Sequence, residues 1–158
     1  MTIVLLIRFI LKLFSKNDIF MNYNQIKSIY GSLVERQSEI LNLDKNLILG
    51  IIKQESSGDF SAIGENNEVG LMQVSPIALL EYNIQTGNNI FLYELLNPET
   101  AIKVGSYYLK WIMLKTNWSE KKSLQAYNAG ISAVKRNNEQ SLKYADSVLI
   151  HKTQFKGV

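Results

Sequence analysis

Both prolines of this 158-residue chain directly follow a residue able to cap a helix, in Ser75-Pro76 and Asn97-Pro98. Proline in the first turn of a helix gives up no intrahelical bond, and the side chain before it can accept a backbone N–H left over at the helix start. Each dipeptide is therefore a helix-start signal. After the second, Ile102, Leu109, Ile112 and Met113, with Val104, Tyr108 and Trp111, recur at three- and four-residue spacing, which predicts a long amphipathic helix over 98–116. Gly105 inside it costs helix propensity and so marks a point of close packing. Ser119 is placed to cap a further helix through Leu124 to Asn128, with Gly130 where a left-handed stop is easiest, and a last helix is predicted over 142–150. No alternating run of β-branched and aromatic residues reaches strand length, and no segment repeats or is low in complexity. An all-α, single-domain fold is expected, since this length suits one core and is short for two.

The chain has no cysteine and one histidine. Disulfides, Cys/His zinc sites and Cys-His or Ser-His catalytic pairs are thereby excluded or nearly so, and the chemistry falls to carboxylates, with no metal or cofactor expected. His151, near the C-terminus, reads as a solvated side chain without partners. The formal charge of +3 comes with no basic run longer than a pair such as Lys121-Lys122. That argues against nucleic acid and is compatible with an anionic polymer as partner.

Residues 3–14 are apolar apart from Arg8 and Lys12, which are four apart and share one helix face. The stretch is shorter than the ~20 apolar residues of a spanning helix, and its charges interrupt the apolar run instead of preceding it as in a signal peptide. Two readings of residues 1–20 stay open: an export or membrane-surface segment contacting a membrane through 3–14, or a true start at Met21. Either way the domain proper is expected over 21–158.

One helix departs from the usual logic of burial. The stretch 45–57 is predicted helical, capped by Asp44 and followed by Gly58, with Leu47, Ile48, Ile51 and Ile52 on its apolar face. Glu55 lies four residues after Ile51 and three after Ile52, on the core-facing stripe. A carboxyl there either tips out into solvent at the helix end or sits at a cleft edge with its pKa raised by one to two units, at a cost of about 1.4 to 2.7 kcal/mol, and stays neutral near pH ~6.

The motifs downstream of Glu55 favour the cleft. Glu55-Ser56 is succeeded by Gly70-Leu71-Met72-Gln73-Val74-Ser75-Pro76, then by Pro98, Ile102, Gly105, Tyr108 and Leu109 in a Pro-x-x-x-Ile-x-x-Gly-x-x-Tyr-Leu pattern, then by Ala126-Tyr127-Asn128-Ala129-Gly130. Together, in this order and over about 24–149, these motifs resemble the catalytic domain of the soluble-type lytic transglycosylases. The resemblance implies a lysozyme-like helical domain with a glycan-binding cleft for peptidoglycan strands. Glu55 would be the single general acid/base, forming 1,6-anhydro-N-acetylmuramic acid without a water nucleophile. It further implies Gln73, Tyr127, Met72, Asn128 and Tyr144 as substrate-site residues. Tyr127, Met72, Asn128 and Tyr144 each have an equally ordinary structural alternative, as core fillers or turn formers. The nearby acids Asp59, Glu65 and Glu68 match no catalytic position of the family and are given no role. Trp111 and Trp118 are left outside the site.

Three positions depart from the family pattern. Gly64 stands where many members carry a serine thought to orient the acid, so that support must be absent or come from elsewhere. Ser75 replaces a common methionine and Ala101 a common asparagine. The alternatives weighed are a muramidase that hydrolyses the same bond and a non-catalytic wall-binding or assembly subunit of a virion or secretion channel. All three place the protein in the periplasm or facing the cell wall.

Overall fold

The helix starts signalled by the two prolines form where expected. In the computed structural model, which describes residues 20–134 and 139–158, Ser75 accepts the Ala78 N–H at 3.2 Å and Asn97 accepts the Thr100 N–H at 3.2 Å. Seven α-helices occur among the described residues: α1 Tyr23–Leu41, α2 Lys45–Ser56, α3 Pro76–Thr86, α4 Pro98–Thr116, α5 Glu120–Ala129, α6 Ile131–Val134 and α7 Glu139–Lys156. A short 3₁₀ helix, Leu92–Leu96, joins α3 to α4.

Helix α1 has an identifiable local cause. Asn22 accepts the Gln25 N–H at 3.0 Å while Gln25 Oε1 accepts the Asn22 N–H at 2.8 Å, a reciprocal capping box. Helix α2 begins on Asp44, which accepts the Asn46 N–H at 2.8 Å, and ends on Ser57, itself left-handed at φ 52°, one residue before Gly58 at φ 90°. Helix α7 is longer at both ends than the expected 142–150. Its buried face includes Ser141 and Ala145, too small or polar to register as an apolar stripe, and its C-terminal turn is anchored by Phe155, packed edge-on to Tyr23 at 4.9 Å.

The six consecutive residues Leu47, Ile48, Leu49, Gly50, Ile51 and Ile52 are all buried, so α2 is enclosed on every side and forms the axis of the core. Helix α7 runs along it and α1 packs on another side, with α4 laid against α1. Gly50 makes the α2–α7 approach: a Cβ there would lie 2.9 Å from the Val148 carbonyl oxygen and 3.1 Å from the Lys152 nitrogen. Farther along, Lys152 bridges Asp44 at 3.1 Å and Glu120 at 2.8 Å, tying the cap of α2 to α5. His151 is not the partnerless solvated residue expected. Because α7 continues past Ile150, the ring is half-buried against α1, its Nδ1 is 2.7 Å from the Tyr23 hydroxyl, and burial, then the Lys53 charge, hold its pKa down.

Residues 58–74 fold back over the end of α2. Val69 and Val74 exchange backbone bonds at 3.1 Å, and Gly70 donates to the Ala62 carbonyl at 2.8 Å. Gly70 has φ 78°, and a Cβ on it would collide with the Leu95 carbonyl, so glycine is required there twice over. Among the described residues no helix is long and apolar enough to cross a membrane, and the stretch 3–14 lies outside them.

Candidate active site

The last turn of α2 carries Glu55 into a cleft of about 540 Å³ lined by Glu55, Gln73, Tyr127 and Asn128. The core-facing position read from the sequence is thus the wall of a cavity. Burial, the largest effect, pushes the Glu55 carboxyl up to about 7. A hydrogen bond from the Tyr144 hydroxyl to Oε1, at 2.6 Å, works against that rise, and the negative charge of Glu68 adds to it. The rise exceeds the one to two units expected from the helix pattern alone.

Tyr144 projects from α7 and is buried, 8% exposed. Its own pKa lies well above the usual phenol value, through burial first and then the neighbouring Glu55 charge, so it remains an O–H donor. It does not line the cleft and meets the site through Glu55. Tyr127, on α5, does line it, and its hydroxyl donates to the Met72 carbonyl at 2.9 Å. Burial and then Glu55 raise its pKa well above the ordinary value too. Asn128, next along α5, is exposed at the cleft wall.

Met72 differs from its expected role as a substrate contact. Its side chain is fully buried, its sulfur 3.8 Å from the Ser106 hydroxyl, and it is absent from the cleft wall. Gly105 explains why it fits: a Cβ there would lie 2.8 Å from the Met72 sulfur and 3.0 Å from the Tyr127 oxygen. The close packing read from Gly105 is therefore the seat of the Met72–Tyr127 pair. Gln73, the next residue, has a left-handed backbone at φ 44°, and its side-chain amide donates to the Ala62 and Gly70 carbonyls at 3.0 Å each. Those bonds offset the backbone strain and leave Oε1 as the acceptor end of the amide. Ser56 ties the segments together, its hydroxyl donating to the Leu71 carbonyl at 2.9 Å and accepting the Gly58 N–H at 3.2 Å.

Glu-Ser, Gly-Leu-Met-Gln and Ala-Tyr-Asn-Ala-Gly are thus three walls of one cavity. Residues 32–150 match the transglycosylase SLT domain. The chain belongs to the SLT transglycosylase domain family. It is 26% identical over 147 residues to membrane-bound lytic murein transglycosylase E of Buchnera aphidicola, covering 85% of this chain and 66% of that protein. It is 33% identical over 132 residues to membrane-bound lytic murein transglycosylase C of Mannheimia succiniciproducens, covering 76% of this chain and 36% of that one. The SLT domain thus spans less than two thirds of either relative. Among solved structures, an inactive mutant of lytic transglycosylase Slt from Pseudomonas aeruginosa superposes with a TM-score of 0.76 at 20% identity, over 84% of this chain and 25% of that one. The 70 kDa soluble lytic transglycosylase of Escherichia coli gives 0.74 at 21%, over 81% and 24%. The shared fold is the helical, lysozyme-like one expected.

Tyr108 and Glu68 are among the residues of this SLT domain's cleft that escape a reading of the sequence. Tyr108 lines the wall from α4, its ring 5.8 Å from that of Tyr127, where the sequence reads it as an apolar helix position within a family motif and gives it no site role. Glu68 lines it from the loop that reads as solvated. Trp111 stacks on Tyr108 at 5.7 Å and carries Lys115 over its ring, while Trp118 packs under Lys122; neither lines the cleft.

Proposed function

We propose that the chain cleaves peptidoglycan strands as a lytic transglycosylase, with Glu55 as the only acid/base. The observation that carries this reading is the Glu55 carboxyl, raised to about 7 at the wall of an open cleft and held by Tyr144 at 2.6 Å. An acid with a midpoint near neutrality is protonated often enough to donate and is a strong enough base, once ionised, to recover a proton. In the first step Glu55 protonates the oxygen linking N-acetylmuramic acid to N-acetylglucosamine, and the bond to the muramic C1 breaks. In the second, the muramic C6 hydroxyl attacks C1 and loses its proton to the Glu55 carboxylate. The ring closes and the enzyme returns to its starting state. Holding an internal hydroxyl beside C1 replaces a bimolecular attack by water with an intramolecular one.

Gln73, Tyr127 and Asn128 are the wall residues we assign to glycan binding, Gln73 through its Oε1. Tyr144 acts on the substrate only through Glu55, and Met72 only through the wall it supports. Release of soluble muropeptides from purified wall tests the acid: Glu55→Gln should abolish it, and undiminished release would remove Glu55 from the mechanism.

A second reading, hydrolysis of the same bond by a muramidase, is favoured by one observation, the Glu68 carboxylate in the cleft, which could activate water as a base. Hydrolysis leaves a sugar end that borohydride reduces, and ring closure does not. Binding to wall without release, in wild type and Glu55→Gln alike, would instead indicate an assembly subunit. Access to the wall requires a periplasmic or wall-facing location. We assign the domain to 21–158 and leave delivery to residues 1–20, acting in export or at a membrane surface, or to a virion or secretion channel.

A further inference from the structure

The acid/base cycle of Glu55 leaves one cleft carboxylate unused. Glu68 Oε2 accepts the Asn66 N–H at 3.0 Å, the Glu68 carbonyl accepts the Gly64 N–H at 2.8 Å, and the carboxylate lies directly over Gly64. A Cβ on Gly64 would collide with Glu68 Oε2 and come within 2.8 Å of Gln73 Oε1. Any side chain at 64 must therefore displace Glu68 from the cleft, push on Gln73, or both. The glycine is the seat of the carboxylate.

Two groups act on Glu55 from the elements around it, Tyr144 from α7 and Glu68 from the loop, and the Glu55 charge in turn acts on Tyr127 from α5. Both phenols stay neutral, so Glu68 alone among them carries a charge. No lysine or arginine among the described residues lines the cleft to offset it. We propose that Glu68 is a positioning residue for the acid: seated over Gly64, its negative charge holds the Glu55 carboxyl in the proton-bearing form from which the reaction starts. This rests on Glu55 being the acid. Burial favours that form most, and Glu68 acts in the same direction, against the Tyr144 bond.

The test is the pH dependence of muropeptide release by the full chain, together with an NMR titration of the Glu55 carboxyl, in wild type, Glu68→Gln, Glu68→Asp and Gly64→Ala. Like-charge repulsion across a partly solvated cleft is worth between about half a unit and one unit of pKa. Glu68→Gln should lower the Glu55 midpoint by that amount and move the alkaline fall of activity to lower pH. The loss then grows with pH to roughly three- to tenfold. Gly64→Ala, which displaces the carboxylate, should shift the fall the same way, and Glu68→Asp, which keeps the charge, should shift it less. An unchanged Glu55 titration in Glu68→Gln overturns the proposal. So does a loss equal at every pH, which marks a substrate contact, or a change of product from non-reducible to reducible or the reverse, which marks a direct chemical role. If Glu55→Gln stays active, the acid assignment falls, while the NMR titration still reads whether Glu68 acts on Glu55.

Discussion

Gly50 of α2 and Val148 of α7 meet backbone to backbone: a Cβ on Gly50 would stand 2.9 Å from the Val148 carbonyl oxygen. Five residues on from Gly50, and four back from Val148, the same antiparallel pair brings Glu55 within 2.6 Å of Tyr144. Helix packing that needs a glycine thus sets the geometry of the acid. Alanine normally stabilises a helix interior by about 1 kcal/mol over glycine. Here Gly50→Ala is expected to do the reverse, lowering stability by about 1 to 3 kcal/mol because backbone atoms, not a flexible side chain, stand in the way. Urea denaturation measures the first effect. Glycan release should fall as well, because the two helices splay; a variant that is more stable and fully active would show that the approach is not needed.

Tyr144→Phe removes a bond that favours the charged carboxylate. The Glu55 midpoint should therefore rise above its present value of about 7, and the alkaline fall of activity should move to higher pH. Donating the proton also becomes harder, because the ionised acid loses its partner. A hydrogen bond to a charged group is worth about 1.5 to 3 kcal/mol, so the maximal rate should drop roughly ten- to a hundredfold. A pH profile that keeps both its height and its position would separate Tyr144 from the acid.

Glu55 also carries a stability cost of definite pH dependence. Its folded pKa, about 7, lies above the ordinary 4.5, so between these values the folded protein binds more protons than the unfolded chain. Stability is untouched below the lower value, declines as pH rises through the window, and is level above the upper one. The full cost is roughly 3 kcal/mol. Glu55→Gln should therefore match wild type in stability under acid conditions and exceed it above neutrality, by at most that amount. Thermal unfolding of the two proteins across pH checks this, and a difference independent of pH would mean the carboxyl has an ordinary acidity.

Gly105→Ala probes the wall. The added methyl meets the Met72 sulfur at 2.8 Å and the Tyr127 oxygen at 3.0 Å, the first held in the core beside Ser106 and the second by its bond to the Met72 carbonyl. Overpacking of this kind costs about 1 to 3 kcal/mol. Activity should fall through weaker glycan binding, read as a raised KM more than a lowered kcat; the opposite split would place Tyr127 in the chemistry.

The legible parts of the sequence obey local rules. Prolines and their caps place α3 and α4, a three- and four-residue apolar spacing gives α4 its full extent, and the same arithmetic puts Glu55 on a buried stripe. Helix α7 reads short because Ser141 and Ala145 pack by being small, which leaves no apolar period to detect. Its extension past Ile150 is fixed by Phe155 against Tyr23, a contact across the whole chain. His151 looks solvated for the same reason. In the cleft, Met72 and Glu68 depart from expectation in opposite directions, the motif methionine into the core and the loop glutamate into the cavity. Neither is legible, because the decisive partner in each case, Gly105 or Gly64, acts through a side chain it lacks.

In the proposed reaction, ring closure by an internal hydroxyl with Glu55 relaying the proton would consume no water. Digestion of purified peptidoglycan in heavy-oxygen water, with mass spectrometry of the released muropeptides, reads this directly. The expected products are one water lighter than hydrolysis would give, with no heavy oxygen incorporated and none formed by Glu55→Gln. Products at the hydrolysed mass carrying the label would contradict ring closure by the internal hydroxyl.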